Sequence, residues 1–418
     1  MKTVIAIPEL AGCLSEQHAA EMLLRPVAGV PLLMRTVLTA VRAGANHILL
    51  IWPVALSDRP LQRFTAELKQ RGVQVTTLRV AKFNPRAWSG WVIPRPYLEK
   101  HFVWLPWNWV TIKQSIMQLP LVKFEFVDWS KPAFTTLHEI DREIASKIRA
   151  RGRAGGIAVT SPERTVAAER FLVANSGKAS DGIHTSFNRR LCRPFVRLLS
   201  HTGITPNGIT FSGVVVSILS AFAFSHGTYF WSVLGALLFY MAGLFDEMDG
   251  MVARLKFAET PRGTWLEGAA DGLSYLFLFG GITIGLSRHY GAIAIWMGIA
   301  FWSGSVLALI ATSLQRRRAT TPDRPNEYLG RFYQLLEKDS RNWISRVARQ
   351  VQAFQRRGIL SQYIVIFTIL GLWPLVFLLA TIGAQLTWIL PLYFNRRFFS
   401  HSSGSETKPT ARRLKEAL

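Results

Sequence analysis

From residue 207 onward the chain runs as a series of apolar segments, each close to the ~20 residues needed to cross a bilayer core. They cover 207–225, 229–249, 264–286, 290–313, 359–379 and 381–397, the last two nearly continuous and split around Thr381 and Gly383. A chain in hydrocarbon must satisfy its backbone polar groups internally, so these segments can only be helices. The expected fold is therefore a polytopic α-helical membrane protein of about six spans. A hydrophobic fraction of 49% and 14 tryptophans agree with that reading. The connections at 187–206, 250–263, 314–358 and 396–418 carry almost all the Lys and Arg, whereas those at 226–228, 287–289 and 380–383 carry only Arg288. The positive-inside bias then puts both termini and the 250–263 connection in the cytoplasm.

One stretch, 246–271, sets acids into this apolar frame. Asp246, Asp249, Gly250 and Ala253 fall at i, i+3, i+4 and i+7, so a helix shows all four on one face. Glu267 and Asp271 are four apart, and Gly263 lies four before Glu267, which gives a second such stripe. The link Leu255 to Arg262 holds Pro261 and suits a turn. Four carboxylates brought together repel one another unless cations hold them, and oxygen-rich clusters favour Mg²⁺ or Mn²⁺. Two such ions about 3.5–4 Å apart would clamp a diphosphate. Arg254 offers a positive fork for a phosphate, and the glycines allow a nucleotide close to the backbone. The bland alternative is a buried helix pair whose acids satisfy each other or face a channel. A transporter or divalent-cation channel would also place acids within spans. Arg254 and the eight residues between it and Gly263 count against a cation pathway.

The spacing D-x2-D-G-x2-A-R-x8-G-x3-[acid]-x3-D is similar to the signature of the CDP-alcohol phosphotransferases. This resemblance implies an integral membrane enzyme that moves a phosphoalcohol from a CDP-alcohol donor to an acceptor hydroxyl and releases CMP, in phospholipid or polar-phosphodiester biosynthesis. It implies that Asp246, Asp249, Glu267 and Asp271 hold two divalent ions, Mg²⁺ or Mn²⁺, and that Asp271 deprotonates the acceptor. Gly250, Ala253, Arg254 and Gly263 would line the CDP site. The third carboxylate of the family is usually aspartate; here it is Glu267. Membrane lipid is an expected partner, and a homodimer the expected assembly. Asn207, in the Thr205-Pro206-Asn207 start of the first span, is a candidate nucleotide contact and equally a candidate helix cap.

Ahead of the spans, strand-like runs at Lys2–Ile7, His47–Val54 and Gln74–Val80 alternate with a helical pattern through Arg42, which predicts an α/β sheet domain. Arg25 to Leu33 (RPVAGVPLL) resembles the corresponding region of sugar-nucleotide and cytidylyl transferases, domains found fused to CDP-alcohol phosphotransferases. The loop after the first strand, Glu9 to Ser15, has the single glycine Gly12, and no acidic pair stands near 95–110. The expectation is a nucleotidyltransferase-like fold that has lost its chemistry; an unrelated α/β cytosolic domain is the alternative. Trp88, Trp91, Trp104, Trp107 and Trp109 fit core or interface packing better than a binding surface.

Gly152 to Gly156 marks a joint. The expected organisation is an α/β domain over 1–155, a linker with a juxtamembrane amphipathic helix over 156–206, a membrane domain over 207–400 and a polar basic tail over 401–418. The pattern Lys178-x2-Asp181-Gly182…Ser186-x-Asn188-Arg189 resembles the juxtamembrane helix of bifunctional family members, and it also fits a basic helix lying on headgroups. Arginines in 314–358 suit either an acceptor phosphate or anionic headgroups. Cys13 and Cys192 have no metal-ligand spacing. The formal charge of +23 admits nucleic acid or an anionic membrane as partner. Aromatics do not interleave with the basic runs as a stacking platform requires, so no nucleic-acid partner is expected. No secretory signal is expected either.

Overall fold

The computed structural model describes residues 1–6, 21–53, 58–80, 101–122, 133–150, 155–177, 182–319 and 357–399. The Glu9–Ser15 loop with Cys13, Trp88, Trp91, Lys178–Asp181, the connection at 320–356 and the tail lie outside the described residues. The chain divides into two compact units. The first comprises Met1–Asp181, Arg189–Pro206 and Met248–Pro261, the second Gly182–Asn188, Asn207–Glu247 and Arg262–Leu418.

The first unit is an α/β structure, as the alternating pattern requires. In chain order it contains β1 (Lys2–Ala6), β2 (Pro26–Val27), β3 (Val30–Pro31), α1 (Leu32–Arg42), β4 (His47–Pro53), α2 (Asp58–Gln70), β5 (Gln74–Val80) and β6 (Phe102–Pro106). There follow β7 (Trp109–Val110), α3 (Lys113–Met117), β8 (Leu121–Val122), α4 (Ala133–Ala150), β9 (Ile157–Ala158) and α5 (Pro162–Ala174). The main sheet has the order β5-β4-β1-β6-β8, parallel through β6 with β8 antiparallel at the edge. Ile48 to Trp52 in β4 are all buried, the continuous apolar run of a strand covered on both faces. Trp104, Trp107 and Trp109 are buried as well, so these three tryptophans are core rather than a binding surface.

Strands β2 and β3 form a hairpin whose two turn residues, Ala28 (φ 47°) and Gly29 (φ 76°), both have positive φ, as a two-residue primed turn demands. A side chain at Gly29 would collide with the carbonyl oxygen of Ser200. The hairpin RPVAGVPLL is thus set against the end of the helix that precedes the first span.

That helix, α6 (Ile183–Ser200), exposes Ile183, Phe187, Leu191, Phe195 and Leu198, with Arg189, Arg190, Arg193 and Arg197 interspersed. This is the pattern of a helix lying in a bilayer interface. Then come α7 (Pro206–Ser225), α8 (Tyr229–Lys256), α9 (Pro261–Tyr290), α10 (Ala292–Ala319), α11 (Arg357–Ile369) and α12 (Trp373–Phe399). Among the described residues five helices are long and apolar enough to cross a membrane: α7, α8, α9, α10 over Ala292–Ala311 and α12 over Trp373–Leu390. The sixth expected span corresponds to α11, of which 13 residues are described.

The break between the last two expected spans lies at 370–372, not around Thr381 and Gly383. Leu372 N–H bonds Phe367 O, Gly371 N–H bonds Thr368 O, and Gly371 has φ 74°, which makes a Schellman ending. Gly383 stays inside α12. Within the second unit the core gathers Phe224, Phe239, Phe279, Phe301 and Phe377, with the Phe279 and Phe301 ring centroids 4.3 Å apart. Gly281 and Gly285 of α9 meet the carbonyl oxygens of Ala221 and Phe224 so closely that no Cβ would fit. Small residues at a helix crossing replace the hydrophobic drive that lipid cannot supply.

Candidate active site

Helix α8 runs unbroken through the acidic motif, and this continuity puts Asp246 and Asp249 on one face. On α9, Glu267 occupies the second turn. Carboxylate oxygens of Asp246, Asp249 and Glu267 all lie within 4.8 Å of one another. Asp249 is buried, at 4% exposure, and the other two are half-buried. Three like charges so close, one of them out of water, repel strongly unless a cation lies between them. An all-oxygen set of this kind fits a hard divalent ion.

Asp271, one turn beyond Glu267, is half-buried and falls outside that 4.8 Å group. Gly263 sits one turn before Glu267 and is half-buried. The structure therefore brings together three of the four predicted acids and keeps the fourth on the same helical stripe.

Arg254 folds back along its own helix. A Cβ built at Gly250 would lie 3.3 Å from its Nη1, a tight contact that the guanidinium would have to yield to by a few tenths of an ångström. Its Nε donates to the carbonyl of Ser176 at 2.7 Å. The Ala253 carbonyl accepts from Ala258 N–H at 2.9 Å, which closes the end of α8. Asn207 is the second residue of α7 and is exposed; the helix begins at Pro206, so Asn207 is not its cap.

Two features escaped sequence reasoning. Asn188, in the Ser186-x-Asn188-Arg189 pattern, is buried and accepts from Tyr240 Oη at 2.9 Å and from Gln362 Nε2 at 2.8 Å. Gln362 Oε1 lies 2.6 Å from His184 Nδ1. This network ties the start of α6 to α8 and α11. Nothing in the sequence separation of these residues announces it. The second feature is Tyr275, one turn past Asp271, which extends the stripe Gly263–Glu267–Asp271. Its hydroxyl is buried without a hydrogen-bond partner among the described residues. The four-residue spacing was the available signal. A buried hydroxyl left unpaired costs about 1–3 kcal/mol. Tyr275→Phe is expected to raise stability by about 1 kcal/mol and to lower turnover about tenfold, the exchange of stability for function seen at strained sites. Thermal unfolding in detergent and CMP release, compared in the same preparation, check both halves; unchanged turnover would remove Tyr275 from the site.

Residues 203–392 match the family model described as CDP-alcohol phosphatidyltransferase. The chain is similar to the bifunctional IPC transferase and DIPP synthase of Aquifex aeolicus, 26% identical over 56% of this chain and 49% of that protein. It is similar to the phosphatidylinositol phosphate synthase of Mycobacterium marinum, 34% identical over 22% of this chain and 39% of the relative. The same enzyme of Mycobacteroides abscessus is 27% identical over 29% of this chain and 49% of its own length. The chain thus spans about half the length, or less, of the curated relatives it matches. Residues 203–392, which hold every acid of the triad, thus match the CDP-alcohol phosphatidyltransferase family model.

Proposed function

We propose that this protein transfers a phosphoalcohol from a CDP-alcohol donor to an acceptor hydroxyl and releases CMP. The observation that carries the reading is the triad Asp246, Asp249 and Glu267 within 4.8 Å on two facing helix stretches of a CDP-alcohol phosphatidyltransferase domain. Asp246, Asp249 and Glu267, joined by Asp271, would hold two Mg²⁺ or Mn²⁺ ions. Such ions, when bound, neutralise the diphosphate and stabilise both attacking and leaving oxygens.

The chain's own groups supply the rest. Arg254, fixed by Ser176, offers a bidentate donor to a donor phosphate oxygen. Gly250 and Gly263 let the nucleotide approach the helix backbone. Asp271, outside the triad but one turn away, accepts the proton from the acceptor hydroxyl as it attacks phosphorus. Asn207, exposed at the start of α7, contributes to the nucleotide side. The charge bias of the loops supports a site and both termini on the cytoplasmic side, and a homodimer in the cytoplasmic membrane is the assembly proposed with it.

The relatives' names speak of phosphatidylinositol phosphate, so an inositol phosphate is the first acceptor to try. The test incubates purified full-length protein with Mg²⁺, an inositol phosphate and either CDP-diacylglycerol or a CDP-linked polar alcohol, and follows CMP and the phosphodiester product by mass spectrometry. CMP release that requires both donor and acceptor is the expected result. No consumption of either donor, with a polyol or a phosphorylated polyol as acceptor, would overturn the reading.

A further inference from the structure

The first compact unit contains more than the α/β domain: it includes Met248–Pro261, the last turns of α8 and the link that follows. A helix ends with four carbonyls that have no intrahelical partner and with the negative end of its dipole. Here the Ala253 carbonyl is taken by Ala258 N–H around Phe257, which has φ 53°. Glycine is the usual residue at such a left-handed ending, because it bears no Cβ. The neighbouring carbonyls are taken by arginines from far away in sequence. Arg42 Nη1 donates to Arg254 O at 3.0 Å, Arg35 Nη2 to Leu255 O at 2.8 Å, and Arg71 Nη1 to Phe257 O at 3.2 Å.

The Phe257 ring explains why the ending is not glycine. Arg42 stands 4.3 Å from its centroid and Arg35 5.3 Å, both within cation–π range. Arg42 also pairs with Glu259. Arg35 is fully buried and further held by the hairpin carbonyls of Val27, at 3.0 and 2.7 Å, and Ala28, at 3.3 Å. Burial, with the Arg42 charge beside it and Glu169 working the other way, lowers the Arg35 pKa to about 9. It is still a cation at neutral pH, and those carbonyls are what its burial requires.

The hairpin is itself pinned. Buried Glu169 accepts from Ala28 N–H at 3.1 Å and faces Arg197 Nε at 3.4 Å and His201 Nε2 at 3.1 Å near the end of α6. Lys256 donates to the carbonyls of Thr202 and Ile204 at 2.8 and 3.2 Å. The bonds of Arg35, Arg42, Arg71 and Lys256 meet at residues 254–257, and Arg254 is among them.

We propose that the α/β domain serves the reaction as a brace: Arg35, Arg42 and Arg71 are positioning residues that hold the end of α8 so that Arg254 meets the donor phosphate. The kinetic part of this inference rests on the phosphotransfer reading above; the structural part does not. A hairpin and helix that in sequence resemble a nucleotidyltransferase thereby have a mechanical use that needs no chemistry of their own.

Arg42 is one-third exposed, so Arg42→Gln tests the brace without emptying the core. Removing a charged donor from a carbonyl and from a ring is expected to raise KM for the CDP-alcohol about tenfold with kcat within about threefold. Arg42→Lys should recover part of the loss, since it keeps the charge but not the fork. Phe257→Gly, which keeps the turn and deletes only the ring, is expected to do the same. In both variants hydrogen exchange of peptides covering 248–260 should accelerate while that of 207–225 stays as in the wild type. Unchanged exchange at 248–260 in both would overturn the brace even if phosphotransfer is confirmed. A fall in kcat with KM unmoved would overturn the role assigned through Arg254. Should the wild type consume no CDP-alcohol, the phosphotransfer reading fails, and faster exchange at 248–260 still supports the brace while unchanged exchange rejects it.

Discussion

Asp249→Asn is expected to abolish CMP release, with at least about a 10³-fold loss of kcat, or about 4 kcal/mol of barrier. Asp249 is the buried member of the triad, and asparagine keeps its shape while removing the charge that a cation requires. Folding should survive, because one like charge fewer relieves the repulsion among the remaining acids. Asp246→Asn should behave the same way from its half-buried position on the same face of α8. The measurement is CMP release beside a thermal unfolding curve. Near-wild-type turnover in either variant would end the metal reading, and loss of fold together with activity would leave these aspartates a structural role only.

Glu267 gives the second large contrast. If it ligates a cation, Glu267→Gln leaves the cluster undercompensated, a change commonly worth ~3–5 kcal/mol in a buried charged set. Glu267→Asp keeps the charge and shortens the reach by one methylene, so it should retain most turnover and shift the preference between Mg²⁺ and Mn²⁺. The structure gives a reason to expect this tolerance. Glu267 already reaches the two aspartates from the next helix, within 4.8 Å, although its side chain is longer than the aspartate usual in the family. The comparison is metal-dependent turnover of both variants in parallel. Equal activity of Gln and Asp would show that Glu267 holds no cation.

Much of this was legible because membrane helices and motifs are local. The apolar runs located α7 to α10, with ends that differ by at most seven residues, and the three- and four-residue spacings set Asp246 with Asp249 and Glu267 with Asp271 on single helix faces. Asp271 shares the stripe of Glu267 but lies one helical turn further on, outside the 4.8 Å group, because spacing records a face and not a depth along it. The break before α12 was misplaced for a related reason. Gly383 looked like an interruption, but a single glycine is tolerated inside a helix, whereas Gly371 with an apolar residue on either side forms the actual Schellman ending. The arginines that seize the end of α8 were illegible. On α1, Arg35 and Arg42 are seven apart and share a helix face, and nothing nearby in the sequence shows that a phenylalanine more than 200 residues later meets them.

One dimension of α8 has a consequence for what can be joined. At 1.5 Å per residue its 28 residues extend about 42 Å, well beyond a hydrocarbon core of about 30 Å. Tyr229 and Trp231 at its start are the residue types that settle at a membrane–water boundary. Counted from Tyr229, Asp246 and Asp249 come about 26–30 Å further on, where the opposite boundary begins. The rod therefore acts as a ruler that delivers its acids to the seam between oil and water. A hydrocarbon-bound reactant can arrive there by sideways diffusion in the leaflet, and a nucleotide or polyol phosphate from solution, with neither having to enter the other's solvent.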